Sequence, residues 1–503
     1  PSSLSQWLRR ALVAFLFALA FCAPHSIAAT QFAWGCGLLL WALRFAARPR
    51  PLLYRTPVDY ALLGFFILTF VSALFSYDPD VSVGKLRAAS LFTIVYLVAE
   101  NVAARRTARR LAIVLVASCM INVVYTLGAY TLGRGVKVAG LSAESPLYRA
   151  GLRDGDTVLG VDGARVRTPE DIKQTLAARG ASDVARVRAY RVESYPVFEV
   201  ERGPLLDGGT AEARLGIADW SRGRDERASG FYGHYVTYAE VLQLVASLAL
   251  GLLVASLRER SWTAALLLAA AVVGMAAALV LTVTRASWLG LMLSAFTIML
   301  VGAGRRAVLL LALVAVPLVL AGLFVLQQKR QVGFLDRRDG STAWRLMVYR
   351  ESLDLLVREP RHMIVGVGMD SIKRHYREWG LFDNGRQAVG HLHSTPLQLA
   401  VERGLPALVA WLVLIFVYGR VLWRLARAPV KGEGGRWVER GVVLGALGGL
   451  VGFVASGLVH YNLGDSEVAM VFYFIMGLAL VINRQARRAP PEEVAERAGA
   501  SEA

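Results

Sequence analysis

About twelve runs of roughly 17 to 23 apolar residues recur along this chain, each long enough to cross the ~30 Å hydrocarbon layer of a bilayer as a helix. They begin near Ala11, Thr30, Val58, Ala88, Arg110, His234, Trp262, Ser287, Ala307, Leu405, Gly441 and Val468. Lipid offers no partner for backbone N–H and C=O groups, so each span must satisfy its own, and a helical bundle is expected rather than a barrel. Composition agrees, because 55% hydrophobic residues and a mean hydropathy of +0.46 exceed what a soluble core of 503 residues needs. The expected fold class is an all-α polytopic membrane protein of about twelve transmembrane helices.

A formal charge of +18 would suggest a nucleic-acid partner if the basic residues were clustered on a soluble surface. They instead occupy alternate short connections: Arg9 and Arg10; Arg44, Arg48, Arg50 and Arg55; Arg105, Arg106, Arg109 and Arg110; Arg258 and Arg260; Arg305 and Arg306; Arg420 to Arg440; and Arg484, Arg487 and Arg488. The positive-inside rule makes these cytoplasmic, with both termini inside and no nucleic-acid partner. Two long connections, 133–233 and 327–400, then lie outside. All seven histidines, His25, His234, His362, His375, His391, His393 and His460, fall in or beside that outer set. Arg-Arg before the first run and "HSIAAT" after it resemble a cleavable signal, but spans follow at once, so an uncleaved anchor is expected. Cys22, Cys36 and Cys119 sit within spans at no metal-ligand spacing, which points to packing.

The first outer segment changes character in "GLSAESPLYRAGLRDGDTVLGVDGARVRTPEDIKQTL", Gly140 to Leu176. It predicts a short helix stopped by Gly151, then a strand, an Asp162-Gly163 hairpin turn and a second strand. A helix follows, with Thr168 as N-cap, Pro169 at its first position and Gly180 as its stop. The segment resembles a PDZ domain of the bacterial envelope-protease type. That resemblance implies a small α+β insert that takes a peptide partner by strand addition. No carboxylate-binding loop is evident in it, and a structural insert is the other reading.

The remaining outer residues are polar and cationic at span ends. "RGRDERASGFYGHYVTYAEVL" sets Arg227, His234, Thr237 and Tyr238 within a few turns, and "LTVTRASWLGLML" sets Arg285 between two apolar runs. "GSTAWRLMVYRESLDLLVREP" predicts a helix whose apolar face, Trp344, Met347, Val348 and Leu355, is flanked by Arg345 and Arg350. "GHLHSTPLQLAVERGLPAL" then brings His391, His393 and Glu402 to the lip of a span. Guanidinium groups give charge-assisted, often bidentate contacts to phosphate, so several arginines and a histidine on one membrane face suit an anionic lipid substrate such as a lipid diphosphate. Asp78 and Asp80 form an Asp-x-Asp in a short loop and are a weak match to a metal motif.

"TRASWLG", "WRLMVYRESLDLLVREPRHMIVGVG", "HSTPLQLAVERGLPAL" and "RASGFYGHYVTYAEVL", in this order, resemble the O-antigen ligase and O-antigen polymerase superfamily of bacterial envelope glycan assembly. Ser394 stands where many members have Asn, His234 where many have an Asn-Pro pair, and the PDZ-like insert is not a usual family feature. The resemblance implies transfer of a glycan from undecaprenyl diphosphate to an acceptor hydroxyl on the periplasmic face of the bacterial inner membrane, without metal or cofactor. The acceptor would be lipid A core, a growing glycan or a protein hydroxyl. Within it, His393 is the expected general base, with His391 as rival. Arg285 and Arg345 would neutralise the diphosphate, and Arg227, His234, Arg350, His391 and Glu402 would bind substrate. His460, Asn462, Asp465 and Glu467 share the same outer face. The alternative class, a lipid-linked glycan transporter or flippase, should show internal repeats and charged, broken spans at mid-membrane, and neither is evident.

The expected organisation is N-terminal spans in 1–132, the PDZ-like insert in 133–205, central spans in 206–326 and an outer catalytic loop in 327–400. C-terminal spans in 401–483 and a cytoplasmic tail in 484–503 complete it.

Overall fold

The computed structural model describes residues 3–178, 183–191, 194–203, 205–304, 340–387, 389–428 and 437–488. The run expected from Ala307, the stop at Gly180 and the stretch 429–436 lie outside the described residues. The chain divides into two compact units: residues 1–122, 231–280 and 284–503 in one, 123–230 and 281–283 in the other.

The first unit is helical. Among the described residues, nine helices are long and apolar enough to cross a membrane: Leu4–Cys22, Pro79–Asn101, Arg105–Leu132, Tyr235–Arg258, Trp262–Leu281, Arg285–Gly302, Thr395–Arg427, Trp437–Gly457 and Ser466–Arg487. Asp59–Leu74 is a shorter apolar helix, and the run expected from Thr30 forms the helix Ile27–Ala46. Tyr235–Arg258, Trp437–Gly457 and Ser466–Arg487 are the most enclosed, and their buried residues form the centre of the bundle. In lipid no hydrophobic effect draws helices together, so close packing must do so, and small residues permit it. A Cβ on Gly251 would stand 2.3 Å from the backbone N of Gly445, so Tyr235–Arg258 and Trp437–Gly457 meet backbone to backbone. Polar residues tie the same centre: Gln243 Nε2 donates to Ser294 Oγ at 3.0 Å.

The second unit carries the PDZ-like sheet, in the order β5-β4-β2-β1-β6 with β3 paired to β2. The strands are β1 (Arg134–Leu141), β2 (Thr157–Val161), β3 (Ala164–Arg165), β4 (Val184–Tyr190), β5 (Val197–Glu201) and β6 (Ile217–Gly223). Asp162 and Gly163 both have positive φ, 49° and 81°, as a two-residue hairpin turn of the primed type requires. Thr168 caps Pro169–Ala177 as expected, in a capping box completed by Asp171. Val136, Val138, Leu147, Val158, Ile172 and Val187 are among the side chains that fill the core. The sheet runs past position 205, the expected end of the insert, because β6 pairs antiparallel with β1 from Arg134↔Gly223 to Leu141↔Ile217.

Candidate active site

In the helical unit, "VGVGMD" and "VERG" lie more than thirty residues apart and interlock. Val367 N–H donates to Val401 O and Gly368 N–H to Glu402 O, each at 2.9 Å, and Asp370 N–H to a Glu402 carboxylate oxygen at 2.9 Å. Glycine is required on both sides. A Cβ on Gly366 would lie 2.4 Å from Glu402 O, and one on Gly404 2.3 Å from Ile364 O. Gly404 itself sits at φ 81°, ψ 163°, a conformation essentially confined to glycine, and it breaks Thr395–Arg427 at the lip of its span. Glu402 is therefore a buried strut as well as a wall of the site. The carbonyl that accepts from Gly368 also accepts from Ser72 Oγ at 2.9 Å.

The histidine segment rests on this frame. Ser394 caps the helix that starts at Thr395 by accepting from Leu397 N–H. Leu392 N–H donates to Gln398 Oε1 at 2.6 Å, and the Tyr349 hydroxyl donates to His393 O at 2.8 Å. Together they hold His393 at φ 50°, a left-handed conformation that a non-glycine residue keeps only when its surroundings impose it. The His391 and His393 rings lie 4.1 Å apart between centroids, and the edge of His393 meets Trp344 at 4.7 Å. Thr395 joins the next connection through its N–H to His460 O at 3.0 Å and its hydroxyl to Asn462 Oδ1 at 2.8 Å.

The two imidazoles are bonded differently. His391 Nδ1 accepts the His393 N–H at 3.3 Å, so neutral His391 carries its proton on Nε2 and offers a donor. His393 Nδ1 is buried with no hydrogen-bond partner among the described residues. Burial, then His391, Arg345, His460 and His234, push the His393 imidazole down to about 2. Burial, with Arg345, His391 and His234, brings His460 down to about 3. His391 is lowered too, chiefly by burial, with Asp465 opposing. All three are thus neutral at physiological pH, and the cationic Arg345 acts on two of them. Nδ1 of His460 lies 3.1 Å from Glu240 Oε1, and Thr237 bridges His234 Nδ1 at 3.4 Å and Asp465 Oδ2 at 2.7 Å.

His391, Glu402 and Asp465 line a cavity of about 200 Å³ together with Lys85, Lys373 and Arg403. Asp370 lies between the two lysines, at 2.9 Å from Lys85 and 2.8 Å from Lys373. Burial would raise its carboxyl, but those ion pairs hold it below its ordinary value. Arg403 donates to the Tyr461 hydroxyl at 3.3 Å and lies over the Phe65 ring.

Of the residues singled out from sequence, His391, His393, His460, His234, Arg345, Glu402 and Asp465 therefore belong to one neighbourhood. Arg345 is half-buried on Gly340–Arg358, whereas Arg350, on the same helix, is exposed. Arg285 opens Arg285–Gly302 with Thr284 as its N-cap residue, and Trp288 Nε1 donates to Leu279 O at 2.9 Å. Arg227 belongs to the second unit, where it lines a small cleft with Arg134, Arg224 and Glu226. His362 is structural: it is buried between the Tyr77 hydroxyl at 2.9 Å and Leu355 O at 2.7 Å. Lys85, Lys373, Asp370 and Arg403 had no motif to single them out, since only the fold brings them to one cavity. Asp78 bonds Arg374 at 3.2 Å, and no group of three His, Cys, Asp or Glu among the described residues is arranged to hold a metal ion.

Comparison with known proteins adds three similarities. One curated relative is the magnetosome formation protease MamE of Paramagnetospirillum magneticum, 33% identical over 99 residues, which are 19% of this chain and 14% of that protein. Residues 137–187 match the PDZ domain family. Residues 270–412, a stretch that holds Arg285, Arg345, His391, His393 and Glu402, match the O-antigen ligase family.

Proposed function

We propose that this chain is a glycosyltransferase of the bacterial inner membrane that moves a glycan from undecaprenyl diphosphate to an acceptor hydroxyl at the periplasmic face, without a metal. The observation that carries the reading is the pair of packed, neutral imidazoles of His391 and His393 beside Arg345, all three within the stretch 270–412 that matches the O-antigen ligase family. The acceptor oxygen forms a bond to the anomeric carbon as the carbon–phosphate oxygen bond breaks. The hydroxyl proton goes to the unprotonated ring nitrogen of the neutral His393 imidazole, and the diphosphate leaves as an anion. Arg345 and Arg285 neutralise that anion, and His391 contributes its Nε2–H to a phosphate oxygen. The negative donor offsets the cationic field on His393, raising its basicity when the substrate is in place.

The insert acts apart from the chemistry. β6 ends the sheet, which leaves one of its edges for strand addition by a peptide partner. The test of the catalytic reading is purified protein supplied with lipid-linked glycan and, one at a time, lipid A core, a glycan chain end and a hydroxyl-bearing peptide, with EDTA throughout. One acceptor should be glycosylated and undecaprenyl diphosphate released. No transfer to any of the three, or transfer that returns only with added magnesium or manganese, contradicts the reading.

A further inference from the structure

The helical unit holds a second polar cavity at its other end. Arg484 stands eighteen residues beyond Ser466, where Ser466–Arg488 starts next to Asp465 of the histidine cavity, a distance of about 27 Å along a helix. There Arg9, Arg10, Arg44, Arg50, Glu100 and Arg484 line a cavity of about 600 Å³. A smaller cavity of about 190 Å³ shares Glu100 and Arg484 and adds Arg55 and Arg487.

The walls are built, not merely charged. Arg484 donates from Nη1 to Ala99 O and from Nη2 to Val102 O, both at 2.6 Å, and its guanidinium lies over the Tyr54 ring. Arg44 Nη1 donates to Asn101 Oδ1 at 2.6 Å. Glu100, the one carboxylate among the described residues that line the larger cavity, accepts the Tyr54 N–H at 3.0 Å. Among the described residues, four separate segments thus bring five guanidinium groups and a single carboxylate to one space. The positive-inside rule explains arginines at this end of the helices, but it asks only that they be there, not that they surround a cavity large enough for a ligand. Leu4, Trp7, Leu52 and Leu53, near the same arginines in sequence, are each more than half exposed and present apolar surface. Cationic walls with apolar side chains beside them suit an amphiphile rather than a soluble anion.

We propose that this cavity binds the phosphate headgroup of an anionic phospholipid from the leaflet on the cytoplasmic side, with its acyl chains against the apolar side chains. The guanidinium groups supply charge-assisted bonds to phosphate oxygens, and a bound lipid would fasten the N-terminal helices to Ser466–Arg488. The site is separate from the histidine cluster, so it stands or falls independently of the glycosyltransferase reading.

The test uses delipidated full-length protein in a neutral detergent, titrated in turn with phosphatidylglycerol, phosphatidylethanolamine and inorganic pyrophosphate. Bound ligand is read by native mass spectrometry. Phosphatidylglycerol should bind saturably and at least about tenfold more tightly than phosphatidylethanolamine. The exposed triple variant R9Q/R10Q/R50Q should weaken it by about tenfold or more, and R50Q alone by less. R106Q/R110Q/R420Q, which removes the same charge from arginines that do not line the cavity, should leave it unchanged. Equal losses in the two triple variants, no loss in R9Q/R10Q/R50Q, or pyrophosphate binding as tight as the lipid would each overturn the proposal.

Discussion

His391 and His393 stand two residues apart, yet one has its Nδ1 engaged by a backbone N–H and the other has a buried Nδ1 with no partner among the described residues. Burial, with the neighbouring imidazoles and Arg345, holds His393 near 2, so folding keeps it neutral where the unfolded imidazole, near 6.5, takes a proton. Its stability contribution is complete above about pH 6.5 and is lost progressively as pH falls from there towards 2. A pH series of detergent-phase melting temperatures should therefore fall from pH 7 to pH 5, and the His391→Asn/His393→Asn variant should fall less steeply. Parallel slopes would show that these imidazoles do not carry the linkage. Arg345 allows a second prediction at this scale. Lys keeps its charge but loses the planar fork, so Arg345→Lys should weaken donor binding and transfer by about tenfold, while Arg350→Lys, at an exposed position, should be mild. Wild-type donor titrations for Arg345→Lys would return that residue to a structural role.

At the scale of elements, the most constrained point is the break at Gly404. An alanine there must adopt a strained backbone and place its Cβ against Ile364 O, so Gly404→Ala should cost about 1–3 kcal/mol and reduce transfer by loosening the turn at 366–368. Gly64→Ala, within Asp59–Leu74 with open space at its Cβ, should be neutral or slightly stabilising. Equal melting temperatures for the two variants would show that the interlock carries no strain. Much of this layer was legible from local chemistry. The Asp162-Gly163 turn, the Thr168 cap, the helix from Gly340 to Arg358 and most of the spans follow from patterns a few residues long. Three features were not. β6 reads "IADWSRG", with little alternation, and becomes a strand only through β1, about eighty residues earlier. The break at Gly404 is masked by the apolar run that follows it. Lys85, Lys373, Asp370 and Arg403 are unremarkable one by one and acquire meaning only when a turn and two helix ends close a cavity around them.

The whole chain comprises a helical unit and a PDZ-like unit, each compact in itself. Because Arg134 and Gly223 are antiparallel partners, about 5 Å apart, a short linker can replace 134–223 without stretching the chain. That variant should fold and keep transfer in vitro; a folded but inactive protein would place the insert within the chemistry. Replacing only 137–203 would leave β6 without most of β1, and that variant should aggregate more readily. Proton transfer to His393 during glycan transfer can be measured by donor binding and single-turnover transfer for the wild type, His391→Ala and His393→Ala in one membrane mimetic. His393→Ala should slow transfer by about 10²–10⁴-fold with donor binding retained, whereas His391→Ala should be milder and act mainly on binding. Near wild-type turnover in His393→Ala would contradict it.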